Sequence, residues 1–153
     1  MVGGILRVMI LLGCPEPPVL IPSCISLINM LKEKGCEVVI SANPAALKLI
    51  ESADPEKYYL KDVGAQSIDG GLKNKFPVDL IIGMAHNDAA VNYIITYKSV
   101  YDAKTVAMVF GKNINNELIE DLMDEEIPCQ TAKAFHNPTP VIVKLKKIVE
   151  EYV

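Results

Sequence analysis

Near neutral pH, histidine is the usual general acid or base, and a thiol beside a histidine or a helix N-terminus can become a nucleophile. The chain has two histidines, His86 and His136, and four cysteines; one of these, Cys14, lies in the turn Gly13-Cys14-Pro15-Glu16-Pro17-Pro18. His86 opens the run His86-Asn87-Asp88, and His136 opens His136-Asn137-Pro138. A Cys–His pair with a neighbouring carboxylate is chemically sufficient for covalent catalysis. Cys14 is therefore the candidate nucleophile or ligand contact and His86 the acid or base, with Asp88 or Glu16 orienting it. Asn43, Asn87, Lys112, Asn113, His136 and Asn137 complete the candidate ligand-binding set. Each also has a plainer reading: a packed cysteine, a helix-capping Asn or Asp, a solvated loop lysine.

The same turn argues against familiar chemistries. A phosphate-binding loop aims consecutive backbone N–H groups at the anion, and Pro15, Pro17, Pro18 and Pro22 each remove such a donor. No Walker motif and no GxGxxG follows the first apolar run. The second strand ends Ser41-Ala42-Asn43, without the acidic residue expected on an adenosine ribose. Arg7 is the only arginine, so no loop thiol has the arginine partner of a phosphatase. No cofactor is identified by these residues. The net charge of −4 gives no basic footprint for nucleic acid.

The elements that must position these residues follow from apolar periodicity. Residues 6–12 read as a buried first strand, 37–41 as the second, 78–83 and 105–110 as further buried strands, and 127–134 as a weaker last one. Tyr58-Tyr59-Leu60 is the candidate for a short third strand near a sheet edge, and Asp69-Gly70-Gly71 for a turn. Ser23, Asn43-Pro44, Asn87-Asp88, Asn115 or Asn116, and Asn137-Pro138 mark helix starts. Strands alternating with helices predict one α/β domain over 1–153, a three-layer α/β/α arrangement with a mainly parallel sheet of five or six strands. The order is 3-2-1-4-5-6 with the third strand, or 2-1-3-4-5 without it. Both set the first strand beside 78–83, so the crevice at their carboxyl ends does not depend on the choice. Cys14, Glu16, His86 and Asp88 are expected to lie closest together there.

Hydrophobic residues make up 50% of the 153, enough for a real core without disulfides or metals. Leu11-Leu12-Gly13-Cys14 mimics a lipoprotein box, but Arg7 interrupts the apolar run, and no stretch approaches a membrane span. The expected setting is the cytoplasm, with reduced thiols and no membrane partner. Cysteines at 14, 24, 36 and 129 form no CxxC pair, so no structural zinc site is predicted. Tyr93, Tyr97 and Tyr101 recur every four residues along one helix. They read first as packing of its shoulder and alternatively as a homodimer face.

Together, the turn at 13–18, His86-Asn87-Asp88 and His136-Asn137-Pro138 resemble a small uncharacterised protein family of methanogenic archaea, along the whole chain. The resemblance implies a Rossmann-like fold, an archaeal cytoplasmic setting and, by association alone, a link to methanogen metabolism. It transfers no functional residue. Three functions are carried forward: a small-molecule or cofactor site in the crevice, a non-catalytic homo-oligomeric binding or assembly module, and transition-metal binding by Cys14, His86 and His136.

Overall fold

The most apolar runs of the chain become the strands at the centre of a parallel sheet. The structure, a computed structural model, describes residues 4–153. Its strands are β1 (Arg7–Leu12), β2 (Glu37–Ala42), β3 (Gly64–Ser67), β4 (Leu80–Ala85), β5 (Lys104–Gly111) and β6 (Cys129–Lys133). They pair in parallel in the order β3-β2-β1-β4-β5-β6. The fold is the Rossmann-like order expected with six strands, and the five-strand alternative is excluded.

Helices α1 (Leu20–Glu33), α2 (Pro44–Ala53) and α6 (Thr139–Tyr152) cover one face; α3 (Ile68–Lys73), α4 (Asp88–Tyr101) and α5 (Asn116–Asp124) cover the other. Alternation along β1 divides its side chains between the layers. Val8, Ile10 and Leu12 pack under α1 and α6, whereas Met9 and Leu11 pack under α4. Both faces are buried, which is why β4 is apolar throughout and β1 and β5 are so from Val8 and Val106 onwards. Among the described residues no helix is long and apolar enough to cross a membrane.

The third strand is not Tyr58-Tyr59-Leu60 but Gly64–Ser67, an edge strand paired with β2. The aromatic triplet lies in a loop organised by Asp54, whose carboxylate accepts from the backbone N–H groups of Tyr58, Tyr59 and Leu60 at 2.8 Å each. Lys32 Nζ donates to the carbonyls of Tyr59 and Lys61. Groups that a sheet ladder would use are therefore already bonded. Burial pushes the Asp54 carboxyl up, but the three N–H bonds and Lys32 outweigh it and hold it below its ordinary value.

Two local expectations are corrected and a third is borne out. Asp69-Gly70-Gly71 is the body of α3 rather than a turn, with Ser67 Oγ capping Gly70 N–H at 2.9 Å. Ser23 does not cap α1, which begins three residues earlier at Leu20. Carbonyls of Phe135 and Pro17 accept from the N–H groups of Val19 and Leu20, so no side-chain cap is required. The tyrosine stripe packs the shoulder of its helix, as its first reading expects. Tyr97 and Tyr101 are buried and stacked at 5.4 Å, and their hydroxyls donate to the carbonyls of Ile68 and Gly71. Burial pushes the Tyr97 phenol up to about 12. Only Tyr93 of the three is exposed.

Candidate functional site

The switch point lies where β1 hands the chain to α1 on one face and β4 hands it to α4 on the other. In the β1–β4 register Leu12 pairs with Met84, so Cys14 and His86, two residues beyond each, leave adjacent strands at the same level. Gly13 is buried there, and a Cβ on it would stand 3.4 Å from the Cβ of Ala90 in the first turn of α4. This close approach brings the proline-stiffened lip at 14–18 against the start of α4.

Glu16 is the residue that joins the crest. Its Oε1 accepts from Cys14 Sγ at 3.9 Å, and its Oε2 stands 3.7 Å from His86 Nε2. The His86 side chain is 10% exposed and that of Glu16 is 70% exposed, so a carboxylate on the surface reaches onto a nearly enclosed imidazole. The thiol of Cys14 is also exposed. The other side of His86 meets the Phe110 ring of β5, 5.8 Å between centroids. Burial pushes the His86 imidazole below its ordinary value, and Glu16 pulls the other way without overcoming it. The balance favours the uncharged ring.

The order of groups is thus thiol, carboxylate, imidazole, with the carboxylate in the middle, where the sequence suggested the histidine. Asp88 is exposed in the first turn of α4 and makes no side-chain hydrogen bond among the described residues. Its place helps the helix dipole.

Two of the asparagines expected at strand ends, Asn43 and Asn87, are helix caps. Asn43 Oδ1 accepts from Ala45 N–H at 2.8 Å and Asn87 Oδ1 from Ala90 N–H at 3.0 Å. Asn137 Oδ1 likewise accepts from Thr139 N–H at 3.1 Å, just before α6. Asn87 does more, because its Nδ2 lies 3.4 Å from His86 Nε2. Lys112 and Asn113 are exposed after β5. His136 is exposed and stands edge-to-face on Phe135, 4.7 Å between centroids. Cys14, His86 and His136 do not assemble into a metal site: among the described residues no group of three or more His, Cys, Asp or Glu has the geometry to hold an ion.

Phe110 and Gly13 were missed as site residues. Phe110 is one more apolar residue in an apolar strand, and nothing local marks it as the wall of a histidine. Gly13 follows the first strand directly, and that position is its only sequence signal.

Comparison with known proteins bears on the whole chain. Residues 9–148 match a family described as a domain of unknown function (DUF1890). An uncharacterised protein of Methanocaldococcus jannaschii, MJ0452, is 51% identical over 144 residues, covering 94% of this chain and 97% of that protein. The solved structure of MT0777 has a TM-score of 0.89 at 32% identity, covering 96% of this chain and 99% of that one. The crystal structure of the cypemycin decarboxylase CypD, with a TM-score of 0.51 at 13% identity over 95% and 94% of the two chains, shares the fold alone.

Proposed function

This chain belongs to the DUF1890 family, and from the geometry of its crest we propose that it binds a small molecule in the crevice between the ends of β1 and β4. One observation carries the reading. The exposed carboxylate of Glu16 touches both an exposed thiol and a nearly enclosed imidazole at the switch point of the sheet. Packing does not require this arrangement, since Cys14 and Glu16 are exposed, whereas a ligand site needs a few convergent polar groups on apolar walls. Phe110 and the buried Gly13 supply such walls.

In this reading the ligand meets an uncharged imidazole able to accept or give a proton, a carboxylate, and a thiol on the rim. The first N–H groups of α4, at Asp88 and Ala89, have no acceptor within the helix and complete the polar set. The one arginine, Arg7, lies at the far end of β1, and together with the acidic rim this disfavours a phosphate-led ligand. A cytoplasmic setting is supported by four free thiols, and a metabolic role in a methanogen by the source of the relative.

The test is native mass spectrometry after incubation with a low-molecular-mass extract of a methanogen. The expected result is one retained mass on the wild type that is lost from Glu16→Ala and from His86→Ala. Glu16 is exposed, so its variant folds even if the histidine variant does not. No adduct, or one retained by Glu16→Ala, overturns the proposal.

A further inference from the structure

We infer that Asn87 and Glu16 compete for a single nitrogen of His86, so that the proton on Nε2 decides whether the imidazole is held by α4 or by the β1–α1 lip. The argument starts from the amide of Asn87. Its Oδ1 accepts from Ala90 N–H at 3.0 Å as the cap of α4, which fixes which way the amide faces. The group presented to His86 Nε2, at 3.4 Å, is therefore Nδ2, a donor only. The same ring nitrogen faces Glu16 Oε2 at 3.7 Å, an acceptor only when ionised.

A ring nitrogen either carries a proton or offers a lone pair; it cannot do both. Without its proton, Nε2 accepts from Asn87 and sets its lone pair against the carboxylate. With its proton, it donates to Glu16 and meets the Asn87 N–H head-on. In the structure both partners face the same nitrogen at once, Asn87 Nδ2 at 3.4 Å and Glu16 Oε2 at 3.7 Å, and only one of them can be satisfied by a given proton state.

The surroundings leave the decision to these two residues. The β1–α1 loop presents Glu16, with Cys14 on that carboxylate's other oxygen. β5 presents the uncharged ring of Phe110. α4 presents Asn87, while Asp88 is exposed and makes no hydrogen bond to the ring among the described residues. Burial favours the uncharged ring and Glu16 the charged one.

The consequence reaches the thiol. Proton arrival at Nε2 draws Glu16 towards α4 and away from Cys14 Sγ, so a proton delivered in the crevice frees the thiol on its rim. This rests on the crevice reading for its use, but the competition itself belongs to the ligand-free protein. It can therefore stand or fall separately.

The test is nitrogen NMR of the full chain labelled with 15N-histidine, with His136→Gln used to assign His86. The His86 titration is followed in the wild type, Glu16→Gln and Asn87→Ser; serine keeps a capping hydroxyl but removes the amide donor. The expected midpoint shifts have opposite signs, downwards for Glu16→Gln and upwards for Asn87→Ser. Heteronuclear relaxation at the backbone N–H groups of Cys14 and Glu16 is expected to report a stiffer lip once His86 is protonated, an effect lost in Glu16→Gln. Shifts of the same sign, no shift in Asn87→Ser, or a lip whose mobility ignores the titration would overturn the inference. Asn87→Thr provides a second capped variant if the serine one is poorly folded. A failed ligand search with these NMR results intact removes only the crevice reading.

Discussion

His86 is the residue where burial and charge oppose each other, and that opposition is measurable as stability. Burial lowers the imidazole below its ordinary value of 6.5 more than Glu16 raises it. The unfolded chain, with an ordinary histidine, then takes up its proton at higher pH than the folded one. Folding stability contributed by the neutral ring is fully present above about pH 6.5, falls as pH drops through the window down to the lower folded value, and levels off beneath it. His86→Gln cannot titrate and is expected to lose that part of the pH dependence. Urea midpoints at about pH 7.5 and about pH 5 check this: an equal fall in both proteins would mean that His86 is not the group responsible. Of the candidate residues read from sequence, Cys14, Glu16 and His86 meet, and Asn87 joins them. Asp88 and His136 stand apart because proximity in sequence to a helix start says nothing about where a side chain turns.

At the scale of elements, what positions the crest is the seating of α4 on the sheet. Gly83, in the middle of β4, has no side chain where α4 crosses it; a Cβ there would lie 2.4 Å from Ile94 Cγ1. Ile94 is fully buried and has nowhere to move. Gly83→Ala is therefore expected to cost about 1–3 kcal/mol through overpacking. It should also displace the start of α4, so a fall in the urea midpoint should come with chemical-shift changes at His86. Wild-type stability for this variant would mean that the helix is not held by that contact. Gly71, within α3, has the same role where that helix meets α4, since a Cβ there would collide with Tyr97 Oη and Gln66 Nε2. Neither glycine requires a left-handed backbone; both are close-approach positions, which periodicity cannot distinguish from an ordinary gap in a pattern.

Across the whole molecule, the cysteines report which parts open independently. Cys24 on α1 is completely buried, and its thiol is pushed up to about 12 by that burial. Cys129 on β6 is pushed up to about 11, also by burial, whereas Cys14 is exposed on the crest. Thiol labelling under native conditions is expected to modify Cys14 first, with Cys24 following only as fast as global unfolding allows. Mass-spectrometric mapping over a denaturant series checks this. Labelling of Cys24 that is fast and insensitive to denaturant would show α1 leaving the sheet by local opening. The expectation follows from its burial in the core layer where α1 packs on α6 and α2.

Much of this architecture is local information. The unbroken apolar runs of β1, β4 and β5 can be stable only as strands covered on both sides, and alternation with helices then leaves few strand orders. Asparagines before Ala45, Ala90 and Glu117 mark helix starts because their side chains bond the backbone two or three residues on. The adjacency of the β1 and β4 ends was legible for the same reason, since it depends on strand order rather than on any loop. What remained hidden depended on partners distant in the chain. Lys32, on α1, binds the carbonyls of Tyr59 and Lys61, and with the nearby Asp54 it occupies groups that would have made Tyr58-Tyr59-Leu60 a strand. Tyr97 and Tyr101 are buried by α3, and Glu16 stands between thiol and imidazole because the lip folds over a helix some seventy residues away. Periodicity records which face of an element is apolar. Contact between side chains on different elements depends on how those elements dock, and that was decided only in three dimensions.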